Sequence, residues 1–168
     1  MRLEIFDFID DTMNLIEENQ GVIKEGTHEI NEFFEEMFLP YDNVLNIVSR
    51  VKSQKSLKEK ILRQDFYLKY KSPENLVENL SDLIGVRIEC RFIEDEKDVY
   101  ERVLDTFNIQ GAKGYYYNEK NPSILLKLDD KQPQLQKNGF GIYKIDGIYK
   151  NGKRTTNFEL QIQSLVNV

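Results

Sequence analysis

Apolar side chains recur at intervals of three and four residues through roughly the first sixty positions, which is the spacing of an amphipathic helix. The pattern predicts one helix over residues 3–20, interrupted at Gly21. A second helix is predicted to begin at Thr27 and to end before Pro40. The same spacing continues over residues 44–51, where we expect a third helix.

Two short signals mark the starts of further helices. Ser56 and Glu59 match a capping box, which places the start of a helix at Ser56. Ser72 followed by Pro73 is typical of a helix whose first residue is proline.

The period changes from 3.6 to 2 at residue 84. Residues 84–92 alternate apolar and polar side chains, which predicts a strand with one buried face. Helical spacing returns over residues 94–107. Further strands are predicted over residues 115–117, 124–128, 140–150 and 158–162, with a hairpin turn at Asn151-Gly152. The fold class is therefore α+β, with N-terminal helices followed by a mixed or antiparallel sheet that includes a crossover helix.

Length and composition narrow the class of protein. A chain of 168 residues with 40% hydrophobic and 31% charged residues predicts one globular domain rather than a disordered chain. No stretch approaches the roughly 20 apolar residues of a membrane span, so we expect no membrane partner. Cys90 and His28 are the single residues of their types, which argues against a disulfide framework and against a Cys- or His-rich metal site. A reducing cytoplasm is the expected location, with Cys90 in the core and His28 on the surface.

Charge divides the chain into unequal parts. Residues 1–42 have twelve acidic and two basic side chains, whereas residues 50–71 have eight basic and two acidic ones. We interpret residues 1–42 as acidic helices packed on a domain over residues 43–168. A local positive field in an acidic protein favours a small polyanion over a long nucleic acid. The alternative is a solvated helix face that balances the acidic helices, which are themselves either a structural cover or a regulatory and oligomer surface.

Two carboxylates fall where a sheet would bring them together. Asp82 directly precedes the strand over residues 84–92, and Glu159 lies in the last predicted strand. Mg²⁺ prefers one or two carboxylates, with water and phosphate oxygens as its remaining ligands. Lysine and arginine beside such a pair offset the charge of a transferred phosphoryl group. The alternative roles are a turn or helix cap for Asp82 and a surface strand position for Glu159.

Four segments in this order resemble the motifs of the RelA/SpoT-type alarmone synthetases, which have the nucleotidyltransferase-like (polymerase-β-like) fold. The segments are Arg50-Val51-Lys52, Ser56-Leu57 with Lys60, Asp82 to Ile88, and Glu159 to Ile162. The resemblance covers residues 44–165. It implies a mixed β-sheet with flanking helices, and an enzyme that moves pyrophosphate from ATP to the 3′-hydroxyl of GDP or GTP with Mg²⁺.

The resemblance also implies a role for each matching residue. Arg50, Lys52, Lys60 and Arg87 correspond to residues that bind ATP. Asp82 corresponds to the magnesium ligand. Glu159 corresponds to the glutamate that assists the metal or activates the attacking 3′-hydroxyl.

The acceptor side departs from the family pattern. The family has Gly-Tyr-x-Ser-x-His before the last strand, where this chain has Phe140 for the tyrosine, Ile142 for the serine and Lys144 for the histidine. We expect Phe140 to stack on the acceptor base, since an aromatic face is sufficient, and Lys144 and Gln161 to bind the acceptor. Gln163 stands where the family usually has arginine, and the family normally continues beyond Val168 into a helix, so the C-terminus is a candidate truncation.

Two other functions are compatible with these departures. One is a pyrophosphotransferase of the same fold that acts on another acceptor, such as the 3′ end of tRNA. Four cations would then meet the RNA backbone, namely Lys144, Lys150, Lys153 and Arg154. The other is a catalytically weak nucleotide-binding fragment. The sequence is compatible with a homo-oligomer in each case.

Overall fold

Residues 2–165 are described in the computed structural model, and within them the chain forms six helices and eight strands. The helices are α1 (Arg2–Glu18), α2 (Gln20–Phe38), α3 (Gln54–Arg63), α4 (Phe66–Lys69), α5 (Pro73–Asn79) and α6 (Ile93–Thr106). The strands are β1 (Val44–Val51), β2 (Ile84–Cys90), β3 (Ile109–Gln110), β4 (Tyr115–Asn118), β5 (Asn121–Lys127), β6 (Gln134–Leu135), β7 (Gly141–Asn151) and β8 (Arg154–Ser164). The expected truncation at Val168 lies outside the described residues.

The sheet is mixed, as predicted. Its order is β1-β2-β8-β7-β5-β4-β3, and β6 pairs with the start of β7. β2 and β8 are parallel, whereas the other neighbouring strands are antiparallel. A parallel pair needs a crossover connection, which includes α6.

Two apolar clusters stabilise the molecule. The larger one packs α2 and α6 on one face of the sheet, where Phe34 and Val103 meet β2 and β8 at Ile88 and Leu160. The smaller cluster joins α1 to α3, α4 and α5. It contains Phe8, Ile9, Met13, Leu57, Ile61, Phe66, Leu76 and Leu80. Both acidic N-terminal helices are therefore packed on other elements, α2 on the sheet and α1 on the short helices.

The helix predicted over residues 44–51 is wrong, because these residues form strand β1. Val44, Ile47, Val48 and Val51 fit a helical spacing, but their β-branched side chains are also typical of a strand. Antiparallel pairing with β2 decides the outcome, since it gives the segment backbone partners from Val44 to Val51. The correction matters because it places Arg50 on the sheet.

Two predicted helix starts are also wrong. α2 begins at Gln20 and runs through Gly21 and Thr27, and the Thr27 hydroxyl donates to the carbonyl of Ile23 within the helix. α3 begins at Gln54, because Ser53 rather than Ser56 is the N-cap and accepts from the Ser56 amide. The start at Ser72-Pro73 is confirmed, with the Ser72 side chain accepting from the Asn75 amide.

The alternating segment and the hairpin are confirmed. In β2, Ile84, Val86, Ile88 and Cys90 are buried, and the residues between them are half-buried. β7 and β8 are joined by a two-residue turn in which Gly152 has φ 63°, a value that favours glycine. Burial raises the pKa of the Cys90 thiol to about 12, with the charges of Glu96 and Asp95 adding to the effect. His28 is on the surface, and no helix among residues 2–165 has both the length and the apolar character needed to cross a membrane.

Candidate active site

The face of the sheet opposite α2 and α6 carries the polar side chains of the four strands at one end of the sheet. Strand register arranges these side chains in two rows, because residues directly paired across strands project from the same face. One row runs from β1 to β7 through Arg50, Gly85, Glu159 and Asp146. The next row runs through Val48, Arg87, Gln161 and Lys144.

A cleft of about 200 Å³ lies on these rows. It brings together six of the nine residues predicted to form the site, which are Arg50, Asp82, Arg87, Lys144, Glu159 and Gln161. Val48, Gly85 and Val86 complete its walls. Lys52 and Lys60 contact Asp82 without lining the cleft, and Phe140 lies outside it.

Glu159 is the most buried charged group in the cleft, with 6% of its surface exposed. Both oxygens of its carboxylate have partners in the chain. The Gln161 side chain donates from Nε2 to Oε1 at 2.9 Å, and Lys144 Nζ lies 3.6 Å from Oε2. A buried carboxylate is costly unless it is paired, so Lys144 and Gln161 hold Glu159 in one orientation.

Asp82 forms the second charged centre. Lys52 Nζ lies 2.9 Å from its Oδ2, and Lys60 Nζ lies 3.2 Å from its Oδ1. Lys52 follows β1, where its amide donates to the carbonyl of Leu83, and Lys60 lies in the last turn of α3. Burial acts to raise the pKa of Asp82, but the hydrogen bond from Lys52 and the charges of both lysines outweigh it and lower the pKa.

The two arginines face the cleft differently. Arg87 pairs with Glu89 at 3.5 Å, yet its Nε is buried without a hydrogen-bond partner in the described part of the chain. A buried donor without a partner is uncommon and calls for an explanation, such as a ligand oxygen. Arg50 extends from β1 beside Gly85 and makes no ion pair within residues 2–165. Both guanidinium groups are therefore available to an anion.

Phe140 lies immediately before β7, with 70% of its surface exposed. Its amide donates to the Asn138 side chain, and its carbonyl accepts from the Gln136 amide, so a tight turn presents the ring. Phe140 is therefore not part of the core. Its stacking on a base stays a prediction.

The residues in the cleft fit a magnesium ion. Asp82 and Glu159 both line it and offer only carboxylate oxygens. Mg²⁺ commonly takes one or two carboxylates and completes its octahedron with phosphate oxygens and water. Within residues 2–165, no three Asp, Glu, His or Cys side chains come close enough to hold a metal by themselves.

Two residues of this face were not among the predicted site residues. Glu89 is the partner of Arg87, and Asp146 is directly opposite Glu159 in the β7–β8 pair. The observed two-residue turn, Gly152-Lys153, sets the second relationship, because residues at equal distances from a turn are paired. A turn one residue earlier, at Asn151-Gly152, would have paired Asp146 with Asn157 instead. Asp146 is five residues before Asn151, and Glu159 is five residues after Arg154.

The fold is α+β, as predicted, with a mixed sheet that has helices on one face and charged residues on the other. Residues 49–167 match a family described as a region found in RelA / SpoT proteins. Because that match covers most of the chain, the chain belongs to the RelA/SpoT family. No curated protein matches the chain at a significant level.

Solved structures share this fold at low sequence identity. The small alarmone synthetase 1 from Bacillus subtilis is 18% identical with a TM-score of 0.57, over 93% of this chain and 72% of that one. The same synthetase bound to its product pppGpp gives 17% identity and a TM-score of 0.59, over 84% and 70%. A GTP pyrophosphokinase family protein from Streptococcus pneumoniae is 18% identical with a TM-score of 0.57, over 91% of this chain and 69% of that one.

Proposed function

We propose that the chain is a GTP pyrophosphokinase, which transfers pyrophosphate from ATP to the 3′-hydroxyl of GDP or GTP and forms (p)ppGpp and AMP. The observation that carries the proposal is one cleft that is lined by the buried Glu159, the half-buried Asp82 and the two arginines Arg50 and Arg87. Membership of the RelA/SpoT family supports it, as does the likeness to a synthetase bound to pppGpp.

Glu159 acts on the acceptor in this proposal. Its carboxylate accepts the proton of the 3′-hydroxyl as the oxygen attacks the β-phosphorus of ATP. The new O3′–Pβ bond forms while the bond from Pβ to the bridging oxygen breaks, and AMP leaves with that electron pair. Gln161 and Lys144 keep the carboxylate aligned, because they contact its two oxygens.

The cations beside β1 and β2 act on the donor. Arg50 and Arg87 line the cleft next to Glu159, and we assign them to ATP. Lys52 and Lys60 hold Asp82 and supply two ammonium groups near the phosphates. Preorganised cations stabilise the charge that develops on a transferred phosphoryl group.

Asp82, with Glu159 beside it, would hold Mg²⁺. When bound there, the ion offsets negative charge on the phosphate oxygens. Lys52 and Lys60 keep the Asp82 carboxylate ionised, since they lower its pKa.

Phe140, Lys144 and Gln161 make up the proposed acceptor side. Phe140 offers an exposed ring to the acceptor base. Lys144 and Gln161 line the cleft, although the contacts described above commit both of them to Glu159. The acceptor side therefore has fewer uncommitted cations than the donor side.

The test is to incubate the purified protein with Mg²⁺ and γ-labelled ATP, offering GMP, GDP, GTP and deacylated tRNA separately. Labelled pppGpp or ppGpp together with equimolar AMP is the expected result. Label on tRNA alone would instead support the enzyme with an RNA acceptor. ATP binding without transfer to any acceptor would support the catalytically weak nucleotide-binding fragment.

A further inference from the structure

We propose that Asp146 recognises the 2′-hydroxyl of the acceptor ribose and so selects ribonucleotides over 2′-deoxyribonucleotides. This inference rests on the proposed pyrophosphate transfer, because it concerns the acceptor of that reaction. Asp146 matches none of the motifs that pointed to the site.

The strand order gives Asp146 its place. The row through Glu159 begins at Arg50 on β1, crosses Gly85 on β2 and Glu159 on β8, and reaches Asp146 on β7. The donor-binding arginines lie on the β1–β2 side of Glu159. Asp146 therefore lies on the opposite side, from which the acceptor must approach. It is just beyond the cleft, whose wall ends at Glu159 and Lys144.

The distance between Asp146 and Glu159 is short compared with the size of a nucleoside. Directly opposed residues of an antiparallel pair have Cβ atoms about 4.5–5.5 Å apart. If Glu159 takes the proton of the 3′-hydroxyl, the group of the acceptor nearest to Asp146 is the vicinal 2′-hydroxyl. Phe140, which is proposed to stack on the base, is six residues away along the chain, so we assign Asp146 to the ribose and not to the base.

The charge pattern also indicates a functional role for Asp146. Like charges directly opposite each other destabilise a sheet. Glu159 is compensated by Lys144, whereas no ion pair or side-chain hydrogen bond of Asp146 is found within residues 2–165. Asp146 is exposed and raises the pKa of Tyr115 through its charge, after the larger effect of burial. A carboxylate that lies opposite Glu159 and has no ion pair or hydrogen bond within the described residues is free to accept from a hydroxyl.

The experiment compares GDP with 2′-deoxy-GDP as acceptors at saturating ATP and Mg²⁺. We expect the wild type to prefer GDP by about 10- to 100-fold in kcat/KM, the range for one hydrogen bond to a charged group. Asp146→Ala is expected to bring GDP down to the level of 2′-deoxy-GDP while leaving the 2′-deoxy-GDP rate unchanged. A second variant, Asp146→Asn, is compared with the matched control Asp105→Asn. Asp105 is an exposed carboxylate on α6, on the other side of the sheet, so its variant should keep the wild-type preference for GDP.

The outcomes separate this inference from the function on which it rests. Absence of transfer to any guanosine nucleotide by the wild type would overturn the proposed function and this inference with it. Transfer with equal use of GDP and 2′-deoxy-GDP would overturn the role of Asp146 alone. The role of Asp146 would also be overturned if Asp146→Ala lost the same factor in kcat/KM with both acceptors. It would be overturned too if Asp146→Ala changed only the preference for GDP over inosine diphosphate. Asp146→Asn should also unfold at a temperature no lower than the wild type, because it removes the repulsion from Glu159.

Discussion

The proposed donor and acceptor halves of the open face are built differently. On the donor half, Asp82 is held by Lys52 and Lys60 from two separate elements, so its charges are paired within the chain. On the acceptor half, Phe140 and Asp146 are exposed, and no ion pair of Asp146 lies within the described residues. Glu159 stands between the halves and is buried and fixed.

This difference teaches where specificity can vary. A preorganised donor half favours one ligand, because its charged side chains are already oriented without it. An acceptor half with exposed groups leaves the choice of acceptor to a few side chains. Variants of the donor half should therefore change turnover, and variants of the acceptor half should change which nucleotide is used.

The largest effect is expected at the boundary between the halves. Glu159→Gln or Asp82→Asn should reduce pyrophosphate transfer by at least about 10³-fold while the chain stays folded, because each removes a charge needed at the reacting groups. The measurement is the initial rate at saturating Mg²⁺, with circular dichroism to verify folding. Activity within a few-fold of the wild type in either variant would contradict the assignment.

A smaller loss is expected on the donor half. Lys52→Ala should raise the KM for ATP or lower kcat, with a cost of roughly 2–4 kcal/mol in transition-state stabilisation. Lys55→Ala is the matched control, because Lys55 is an exposed lysine in the first turn of α3. If only the KM for the acceptor changed, the two halves would be wrongly placed.

A weaker effect is expected on the acceptor half. Phe140→Ala should weaken acceptor binding by roughly 1–3 kcal/mol, the scale of stacking on a base, with ATP binding and stability almost unchanged. Phe140→Tyr should be tolerated, and Phe92→Ala serves as a control at another exposed ring. An unchanged KM for GDP in Phe140→Ala would show that the turn at residues 136–140 lies outside the acceptor site.

The smallest effect concerns stability and pH. Lys52 and Lys60 lower the pKa of Asp82 below its ordinary value of 3.8, so the pairs stabilise the fold above that pH and lose this contribution as the pH falls below it. The difference in urea midpoint between wild type and Asp82→Asn should therefore be largest near neutral pH and shrink below about pH 4. A difference that stays constant over this range would show that the pairs do not stabilise the fold.

Much of the fold follows from local patterns in the sequence. The alternation that begins at residue 84, the helix over residues 94–107 and the hairpin at Asn151-Gly152 each depend on neighbours in the sequence. Each element is confirmed, although the strand ends at Cys90 and the two turn residues are Gly152 and Lys153. The helix prediction for residues 44–51 was wrong because their spacing fits both a helix and a strand. Pairing with the distant strand β2 decides between the two. The prediction of Ser56 as a cap was wrong because Ser53, three residues earlier, caps the helix and accepts from the Ser56 amide, so Ser56 lies inside the first turn.

The site was predictable in its residues but not in its contacts. Asp82 and Glu159 were identified from their positions around predicted strands, and both line the cleft. That Lys144 contacts Glu159 depends on the register of β7 and β8, and that Lys60 reaches Asp82 depends on how α3 packs beside the sheet. The place of Asp146 opposite Glu159 also depends on this register, because a turn at Asn151-Gly152 would have paired Asp146 with Asn157.

The position of β8 has a consequence for how the chain folds during its translation. β8 follows every other described strand along the chain, yet it lies between β2 and β7 in the sheet. A nascent chain that lacks β8 has no Glu159. It also has no hydrogen bonds that join the β1-β2 pair to the strands from β7 to β3. Closing the parallel β2–β8 pair across one helix and five strands is a long-range event, which is typical of slow steps in folding. If the proposed function holds, a ribosome-bound precursor should therefore transfer no pyrophosphate from ATP before translation has passed residue 164.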